Sequence, residues 1–250
     1  MTKADISSRQ SSRFKWWLRA LDKGPQKTGA TLVSGRRICL EVAALPDVDL
    51  RCWIVPEGWE GDLPDMPEQR WVLSRPLFRE LDEMGVGFPL LEVGLEGRIV
   101  PHEAPLTAGL YLALPTQDPL NTGAAIRTAA GLGASAVILL PGAASPFHPR
   151  AVRASAGSVF RIPLYSSAWS LLVEQPATVY LLDTGGTSLE QVAWADTSIL
   201  VVGMEGPGTE PLVQGEQGSF QRVSLPMQNI ESYNVTVAAA MAMYHWRRQR

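Results

Sequence analysis

Polar and charged side chains follow apolar, strand-like runs at three places in the chain. Arg127 stands in the first, DPLNTGAAIRTAAGLG over residues 118–133, and Glu205 stands in the second, LVVGMEGPGTE. Ser232 and Asn234 stand in the third, LPMQNIESYNVTVAAA. Because ligands bind at the carboxyl ends of strands in an open α/β sheet, we expect the three stretches to meet at one site. A guanidinium, a carboxylate and short polar groups could there orient a ligand and help to move a proton.

Arg127 has unusual surroundings for a long cation. The run from Gly123 indicates a helix, with Thr122 or Asn121 as its N-cap. One helical turn before and after Arg127 the chain has only glycine and alanine. A guanidinium on such a bare face has room to meet a ligand directly. The structural alternative is an ion pair with Glu205.

Each of these features, taken alone, also has a structural explanation. Glu205 could be a solvated carboxylate in a turn, and Asn234 could be the N-cap of the last helix, helped by Ser232. The GMEGPG turn is not the GxGxxG fingerprint of dinucleotide-binding proteins. The chain also lacks a P-loop lysine motif and a GxSxG nucleophile elbow, so these enzyme classes are not indicated.

The composition is that of a globular protein. Of the 250 residues 46% are hydrophobic and 19% are charged, and the formal net charge is −3, so the chain as a whole does not indicate a nucleic-acid partner. Cys39 and Cys52 stand in apolar contexts and are expected to be buried thiols in a reducing compartment. Three scattered histidines offer no Cys/His metal set, so no metal is predicted. Without a signal-peptide pattern or an apolar run near ~18 residues, we predict a cytoplasmic protein and no membrane segment.

The distribution of charge is less even than the total. Residues 119–173 contain no acidic residue but four arginines, which indicates a local positive field suited to a phosphate backbone. A second basic cluster near the N-terminus includes Trp16 and Trp17, and aromatic residues among cations suit stacking on unpaired bases. The alternatives are an apolar, core-rich segment in the first case and an amphipathic helix with one core tryptophan in the second.

The pattern of the chain predicts two domains. Residues 1–12 are polar and are predicted to be a flexible tail. Residues 13–100 alternate short helices and strands, such as FKWWLRAL and LRCWIV, and predict a small α/β domain; GRIV is either its last strand or part of the boundary. Residues 101–106 are predicted to be a linker. In residues 107–250 the runs LYLALP, ASAVILLPG, SVFRIPL and TVYLLD are apolar throughout, which is typical of a parallel sheet covered on both faces.

The three polar stretches, in this order and spacing, resemble the three motifs of the SpoU (TrmH-like) family of RNA 2′-O-ribose methyltransferases, part of the SPOUT superfamily. The matching runs are DPLNTGAAIRTAAGLGA, ILVVGMEGPG and VSLPMQNIESYNVTVAAAMAMY, and RAVRASAGSVFRIPL resembles the family's segment between the first two. The resemblance covers residues 107–248. Residues 14–100 are similar, more loosely, to the small L30e-like RNA-binding domain that often precedes it. Ser34 stands where many relatives have an acidic residue.

The resemblance implies an α/β fold in which the small L30e-like domain precedes a parallel-sheet SPOUT domain with a deep trefoil knot. It implies S-adenosylmethionine as the cofactor, held in the knot, and a homodimer with the last helix at the interface. The residues that match the cofactor-binding positions are Leu182, Asp183, Thr184, Gly203, Met204, Gly206, Leu225, Met227, Tyr233 and Asn234. Tyr233 replaces the more usual leucine, which alters the pocket if this side chain packs on adenine.

The resemblance also assigns roles to the polar residues. Arg127 matches the catalytic arginine, and we expect it to orient ribose and phosphate rather than accept the hydroxyl proton, because a guanidinium is a poor base. Asn121 and Glu205 are expected to form a hydrogen-bonded pair that fixes the loop of Arg127. Ser232 and Asn234 complete the catalytic set.

The function implied is transfer of a methyl group from S-adenosylmethionine to a ribose 2′-hydroxyl of rRNA or tRNA. One alternative is a non-catalytic RNA-binding protein of the same fold that acts in ribosome assembly. Another is a nucleotide-binding α/β domain outside the family. Cofactor binding and methyl transfer to RNA distinguish the three.

Overall fold

The computed structural model describes residues 2–25, 29–67, 69–102, 104–204, 208–213 and 219–250. The chain forms two compact units. Unit 1 comprises Met1–Gly97 with Ser145–Phe160, and unit 2 comprises Arg98–Ala144 with Arg161–Arg250.

Unit 1 contains a mixed five-stranded sheet. Its strands are β1 (Thr2–Ile6), β2 (Ala30–Val33), β3 (Leu50–Pro56), β4 (Gln69–Leu73) and β5 (Leu90–Gly94), in the order β1-β4-β3-β5-β2. β4 is parallel to both β1 and β3, whereas β5 is antiparallel to β2 and β3. Where the sequence predicts a flexible tail, the structure therefore differs: Thr2–Ile6 is an edge strand, because its backbone pairs with β4.

The first segment of unit 1 contains the helices α1 (Ser12–Lys23), α2 (Arg36–Ala43) and α3 (Arg75–Leu81), and its second segment, Ser145–Phe160, contains the helix Pro149–Ala154. α1 is amphipathic, and its buried Phe14, Trp17 and Ala20 recur at helical spacing. The helix ends at Gly24, whose φ of 69° lies in the left-handed region that favours glycine.

A buried polar network lies in the core of unit 1. Glu92 is fully buried, and its carboxylate accepts hydrogen bonds from Arg13 Nη2 at 2.8 and 3.0 Å and from Trp17 Nε1 at 2.7 Å. Cys52 Sγ lies 3.3 Å from the same carboxylate. Trp17 is therefore a core residue and cannot stack on a base, whereas Trp16 is half-buried and packs against Arg13, with the guanidinium 5.2 Å from the ring centroid.

The prediction of two buried thiols is confirmed. Cys39 and Cys52 are both buried and free. Burial raises the pKa of the Cys39 thiol to about 12. Burial, the nearby Glu92 charge and its hydrogen bond raise the pKa of Cys52, so neither thiol ionises near neutral pH.

Unit 2 contains a seven-stranded sheet that is parallel throughout. Its strands are β6 (Val100–Pro101), β7 (Gly109–Leu114), β8 (Ala136–Leu139), β9 (Leu164–Ser166), β10 (Thr178–Ser188), β11 (Thr197–Val201) and β12 (Phe220–Ser224). Their order across the sheet is β12-β10-β11-β7-β8-β9-β6. Every residue of β8 is buried, as the continuous apolar runs predict. GRIV contributes its last residue to β6, at the edge of this second sheet.

The helices of the remaining chain are α4 (Pro119–Leu132), α5 (Pro149–Ala154), α6 (Trp169–Val173), α7 (Glu210–Val213) and α8 (Val235–Arg248). The predicted strand SVFRIPL is only partly a strand. Ser158–Phe160 forms a short 3-10 helix, and β9 begins after Pro163, which has no N–H to donate to a ladder. Phe160 instead packs against Phe147, with the ring centroids 5.5 Å apart.

Within the described ranges, no helix is both long and apolar enough to cross a membrane. Nor does this part of the chain bring three or more histidine, cysteine, aspartate or glutamate side chains together in a way that could hold a metal ion.

Candidate functional site

The three polar stretches meet at one cavity of unit 2, which lies at the carboxyl ends of β11 and β12 and beside the middle of β10. Its volume is about 770 Å³, within the usual range for a small-molecule site. Most of the predicted site residues line it, namely Asn121, Leu182, Asp183, Thr184, Gly203, Met204, Leu225, Met227, Ser232, Tyr233 and Asn234. Glu205 and Gly206 lie outside the described residues, and Arg127 is not part of the wall.

The first stretch enters α4 differently from the predicted start. The N-cap is Asp118, whose carboxylate accepts hydrogen bonds from the backbone N–H groups of Leu120 and Asn121, and Pro119 is the first helical residue. This arrangement places Asn121 in the first turn. Thr122, a predicted cap, is instead buried and hydrogen-bonds Thr116 at 2.8 Å between the hydroxyl oxygens. The predicted N-cap was wrong because Asp118 and Pro119 together form a stronger helix start.

Asn121 and Asn234 connect the first and third stretches. Asn234 Nδ2 donates to Asn121 Oδ1 at 3.2 Å. Asn234 Oδ1 accepts the backbone N–H of Thr236 at 2.9 Å and so caps α8, as predicted. Asn234 therefore has both the structural role and a position in the cavity wall.

The second stretch folds back on itself at the cavity. Met204 N donates to Gly208 O at 2.7 Å, and Gly208 N donates to Met204 O at 3.1 Å. A Cβ atom on Gly203 would lie 3.0 Å from the backbone of Gly208, tighter than ordinary van der Waals contact, so this close approach favours glycine at position 203. Residues 205–207 lie outside the described ranges.

Asp183 is the centre of an ionic network at the cavity. Its carboxylate accepts hydrogen bonds from the Thr209 hydroxyl, from Arg222 Nη1 and from the backbone N–H of Thr184, the last at 2.6 Å. Arg222 Nη2 also donates to Glu210 at 2.8 Å. Burial alone would raise the pKa of Asp183, but the Thr209 and Thr184 hydrogen bonds and the Arg222 charge outweigh it and hold the pKa below its usual value. Asp183 is therefore ionised at neutral pH.

Arg222, Thr209 and Glu210 belong to this site, but the sequence reasoning did not identify them. Arg222 lies on β12, which pairs in parallel with β10 beside Asp183. The available signal was a basic residue, Arg222, on a strand close to Asp183. It predicts an ion pair only when β12 is known to lie next to β10.

The third stretch supplies apolar and aromatic wall. Leu225 is buried, and Tyr233 is half-buried with its hydroxyl donating to Pro226 O at 3.0 Å. Ser232 is exposed at the edge of the cavity.

Arg127 lies on α4, two turns after Asn121, and is exposed. No hydrogen bond or ion pair joins it to any residue in the described ranges. A Cβ on the neighbouring Gly131 would meet nothing within 4 Å, which confirms an open surface one turn ahead of the guanidinium. This surface leaves the donors of Arg127 available to a ligand.

The chain is similar to known RNA methyltransferases in sequence and in fold. The chain is 36% identical over 233 residues to Ribosomal RNA small subunit methyltransferase G 2 of Syntrophobacter fumaroxidans, a match that covers 90% of this chain but only 45% of that protein. The chain thus spans less than half the length of that relative. It is 28% identical over 249 residues to the 23S rRNA (guanosine(2553)-2′-O)-methyltransferase RlmP of Bacillus subtilis, covering 97% of this chain and 98% of the relative.

Among solved structures, an AdoMet-bound rRNA methyltransferase from Sinorhizobium meliloti has the same fold, with a TM-score of 0.81 at 20% identity over 98% of both chains. The model of the SpoU rRNA Methylase family matches residues 110–244, just over half of the chain, and this range contains every residue that lines the cavity. The protein therefore belongs to the SpoU rRNA Methylase family.

Proposed function

We propose that the protein transfers a methyl group from S-adenosylmethionine to a ribose 2′-hydroxyl of rRNA or tRNA. The observation that carries this proposal is the meeting of all three motif stretches at the cavity of unit 2, with Arg127 on α4 unpaired within the described residues. The relative from Bacillus subtilis is named as an enzyme of this reaction, and the neighbour from Sinorhizobium meliloti is described as AdoMet-bound.

The cavity residues fit S-adenosylmethionine. Apolar side chains, among them Leu182, Val202 and Leu225, suit the adenine ring and the methionine carbons. The carboxylates of Asp183, Glu210 and Glu231 line the same wall, and Arg222 is the shared partner of the first two. The remaining excess of negative charge favours a ligand that carries positive charge, as this cofactor does on its sulfonium and ammonium groups. When bound, the cofactor supplies the methyl group as an electrophile.

The residues around the cavity align the acceptor. Arg127 can donate hydrogen bonds to a phosphate and a ribose oxygen of RNA, since a guanidinium stays protonated in proteins and presents its donors in a planar fork. The Asn234–Asn121 hydrogen bond holds the first turn of α4, from which Arg127 projects two turns later. Holding the ribose 2′-oxygen in line with the methyl group of the cofactor lowers the entropic part of the activation barrier to methyl transfer. We include Glu205 and Ser232 in the catalytic set, as the motif match implies.

We infer further that unit 2 has the deep trefoil knot of SPOUT proteins and that the protein is a homodimer through α8. The sheet order supports the knot, because β12 lies beyond β10 while the helix that follows it returns to pack on α4. Exposed apolar side chains on α8 support the dimer: Val237 is 47% and Tyr244 is 55% exposed. We also infer that the mixed sheet of unit 1 is an L30e-like RNA-binding domain.

The test uses methyl-labelled S-adenosylmethionine, the purified protein, and total RNA from cells that lack this protein. A 2′-O-methyl group makes the adjoining phosphodiester resistant to alkali, so label in alkali-resistant dinucleotides identifies the reaction, and the size of the labelled RNA separates rRNA from tRNA. Cofactor binding without label would instead indicate a non-catalytic RNA-binding protein. Failure to bind the cofactor would contradict the proposal.

A further inference from the structure

A second cavity lies wholly within unit 1, and nothing in the proposed methyl transfer uses it. Its volume is about 410 Å³, and it lies at the carboxyl ends of the parallel strands β3 and β4, where β4 leads into α3. Carboxyl ends of parallel strands are where α/β sheets bind ligands. The volume is within the range of small-molecule sites.

Two arginines of α3 line this cavity. Arg75 and Arg79 are four residues apart, so both project from one face of the helix, and both are exposed. Arg75 Nε donates to the backbone oxygen of Glu57 at 3.3 Å, whereas Arg79 makes no hydrogen bond or ion pair within the described ranges. Two neighbouring guanidiniums with free donors suit a phosphate group.

An aromatic ring forms another part of the wall. Trp59 is half-buried, and its ring packs edge-on against Phe88 with the centroids 5.4 Å apart. A Cβ on Gly61 would lie 2.7 Å from Trp59 Cζ2, so the chain closes over this ring only because position 61 is glycine. A ring fixed in this way at a cavity wall suits stacking on a nucleobase.

Carboxylates also line the cavity, and they identify the ligand further. Asp82 is buried, and its Oδ2 accepts the backbone N–H of Gly87 at 2.7 Å; Glu57 is exposed beside Arg75. These charges disfavour a plain anion. They favour a ligand that combines a phosphate with N–H donors. Guanine, cytosine and adenine carry an amino group, and guanine presents it beside a ring N–H, whereas uracil offers only its single ring N–H.

The geometry points to a binding site for one unpaired RNA nucleotide whose base carries an amino group. Arg75 and Arg79 hold its phosphate, Trp59 stacks on its base, and a carboxylate of Asp82 or Glu57 accepts from the amino group. This site is separate from the cavity of unit 2 and gives unit 1 a sequence preference of its own.

The test measures binding of 5′-GMP, 5′-UMP and inorganic phosphate to the full chain by equilibrium dialysis, with S-adenosylhomocysteine present to fill the cavity of unit 2. The double variant R75Q/R79Q should bind GMP at least about tenfold more weakly, since each lost charge-assisted hydrogen bond contributes on that scale. The matched control is Arg51→Gln, which removes a guanidinium of unit 1 that pairs with Asp49 and does not line the cavity. R51Q should bind GMP as the unchanged chain does.

UMP should bind more weakly than GMP, and phosphate should compete poorly with either. The inference is overturned if R75Q/R79Q keeps the GMP affinity, if UMP binds as tightly as GMP, or if phosphate displaces GMP at equal concentration. Both arginines are exposed, so the double variant should fold with an unchanged unfolding midpoint. The labelled-RNA assay is independent: methyl transfer can fail while GMP binding persists, and the reverse.

Discussion

Asn234 Nδ2 lies 3.2 Å from Asn121 Oδ1 and donates a hydrogen bond to it, although the two residues are 113 positions apart in the chain. The other end of the same amide caps α8 through the N–H of Thr236. One side chain thus fixes the starts of two helices that both contribute to the cavity. Since donor and acceptor are different atoms, substitution can separate the two roles.

Asn234→Asp keeps an oxygen for the cap and removes the donor to Asn121. We expect the free energy of unfolding to stay within about 0.5 kcal/mol, because aspartate caps helices as well as asparagine does. Methyl transfer should fall roughly tenfold, the scale of one lost hydrogen bond. Asn234→Ala is the control: it loses the cap as well and should unfold about 1 kcal/mol more easily. Normal transfer by N234D, measured with labelled cofactor, would contradict the role given to this hydrogen bond.

Arg127→Ala should abolish most methyl transfer and leave cofactor affinity unchanged, because Arg127 is outside the cavity wall. Arg127→Lys is the matched variant. It keeps the charge but not the planar fork, and its transfer rate should lie between those of the alanine variant and the original chain. Calorimetric titration with S-adenosylhomocysteine measures the affinity of each variant for the cofactor site. Loss of that binding in R127A would indicate a structural role for the arginine instead.

The sequence predicted the parts of the site that depend on local pattern. The motif match singled out Asn121, Gly203 and Asn234, which the structure places in the cavity wall, and the continuous apolar runs indicated a parallel sheet, since each signal lies within one short stretch. The Asp183–Arg222 ion pair could not be predicted in this way. It depends on β12 lying next to β10, a matter of strand order rather than of either strand's composition.

The same limit explains the errors in the fold. Residues 2–6 lie in a stretch that is polar overall, yet they form a strand because they pair with the edge of β4, and Ile6 is buried in the core. The two tryptophans of α1 look alike in sequence, but only Trp17 faces the buried carboxylate of Glu92, which lies on a strand 75 residues later. Because β1 and β4, and likewise Trp17 and Glu92, are far apart in the chain, no pattern within a short stretch predicts these contacts.

Asp183→Asn should destabilise the protein at neutral pH and should change its pH dependence. The folded chain lowers the pKa of Asp183, so its carboxylate contributes stability above the ordinary aspartate pKa of about 3.9, and that contribution is lost as the pH falls through the lower, folded value. Removing the charge leaves Arg222 and Thr209 poorly paired, which we expect to cost about 1–3 kcal/mol. Urea unfolding from pH 7 to pH 3 measures the difference in the free energy of unfolding between D183N and the original chain. This difference should be constant down to about pH 5 and should shrink below pH 4. A difference that grows on acidification would contradict the role given to the Asp183 charge.

Glu92→Ala should be among the most damaging substitutions in unit 1. Glu92 is fully buried and is the shared acceptor of Arg13 and Trp17, so its removal leaves a guanidinium and an indole N–H without their partner. Breaking a fully buried ion pair from one side costs about 3–5 kcal/mol, and we expect the lower end of that range because the Arg13 side chain is 33% exposed. The matched control is Glu96→Ala, at an exposed position on the turn after β5, which should change stability by less than about 0.5 kcal/mol.

The double variant E92L/R13M distinguishes the ion pair from simple packing. Replacing both charges by apolar side chains of similar size removes the unpaired cation as well as the carboxylate, and such replacements are often neutral. We therefore expect E92L/R13M to recover most of the stability that E92A loses, although Trp17 Nε1 and Cys52 still lack their acceptor. Urea unfolding followed by tryptophan fluorescence measures the free energy of unfolding of the original chain, E92A, E96A and E92L/R13M. If the double variant were as unstable as E92A, the damage would come from the lost hydrogen bonds of Trp17 and Cys52 and not from an uncompensated charge on Arg13.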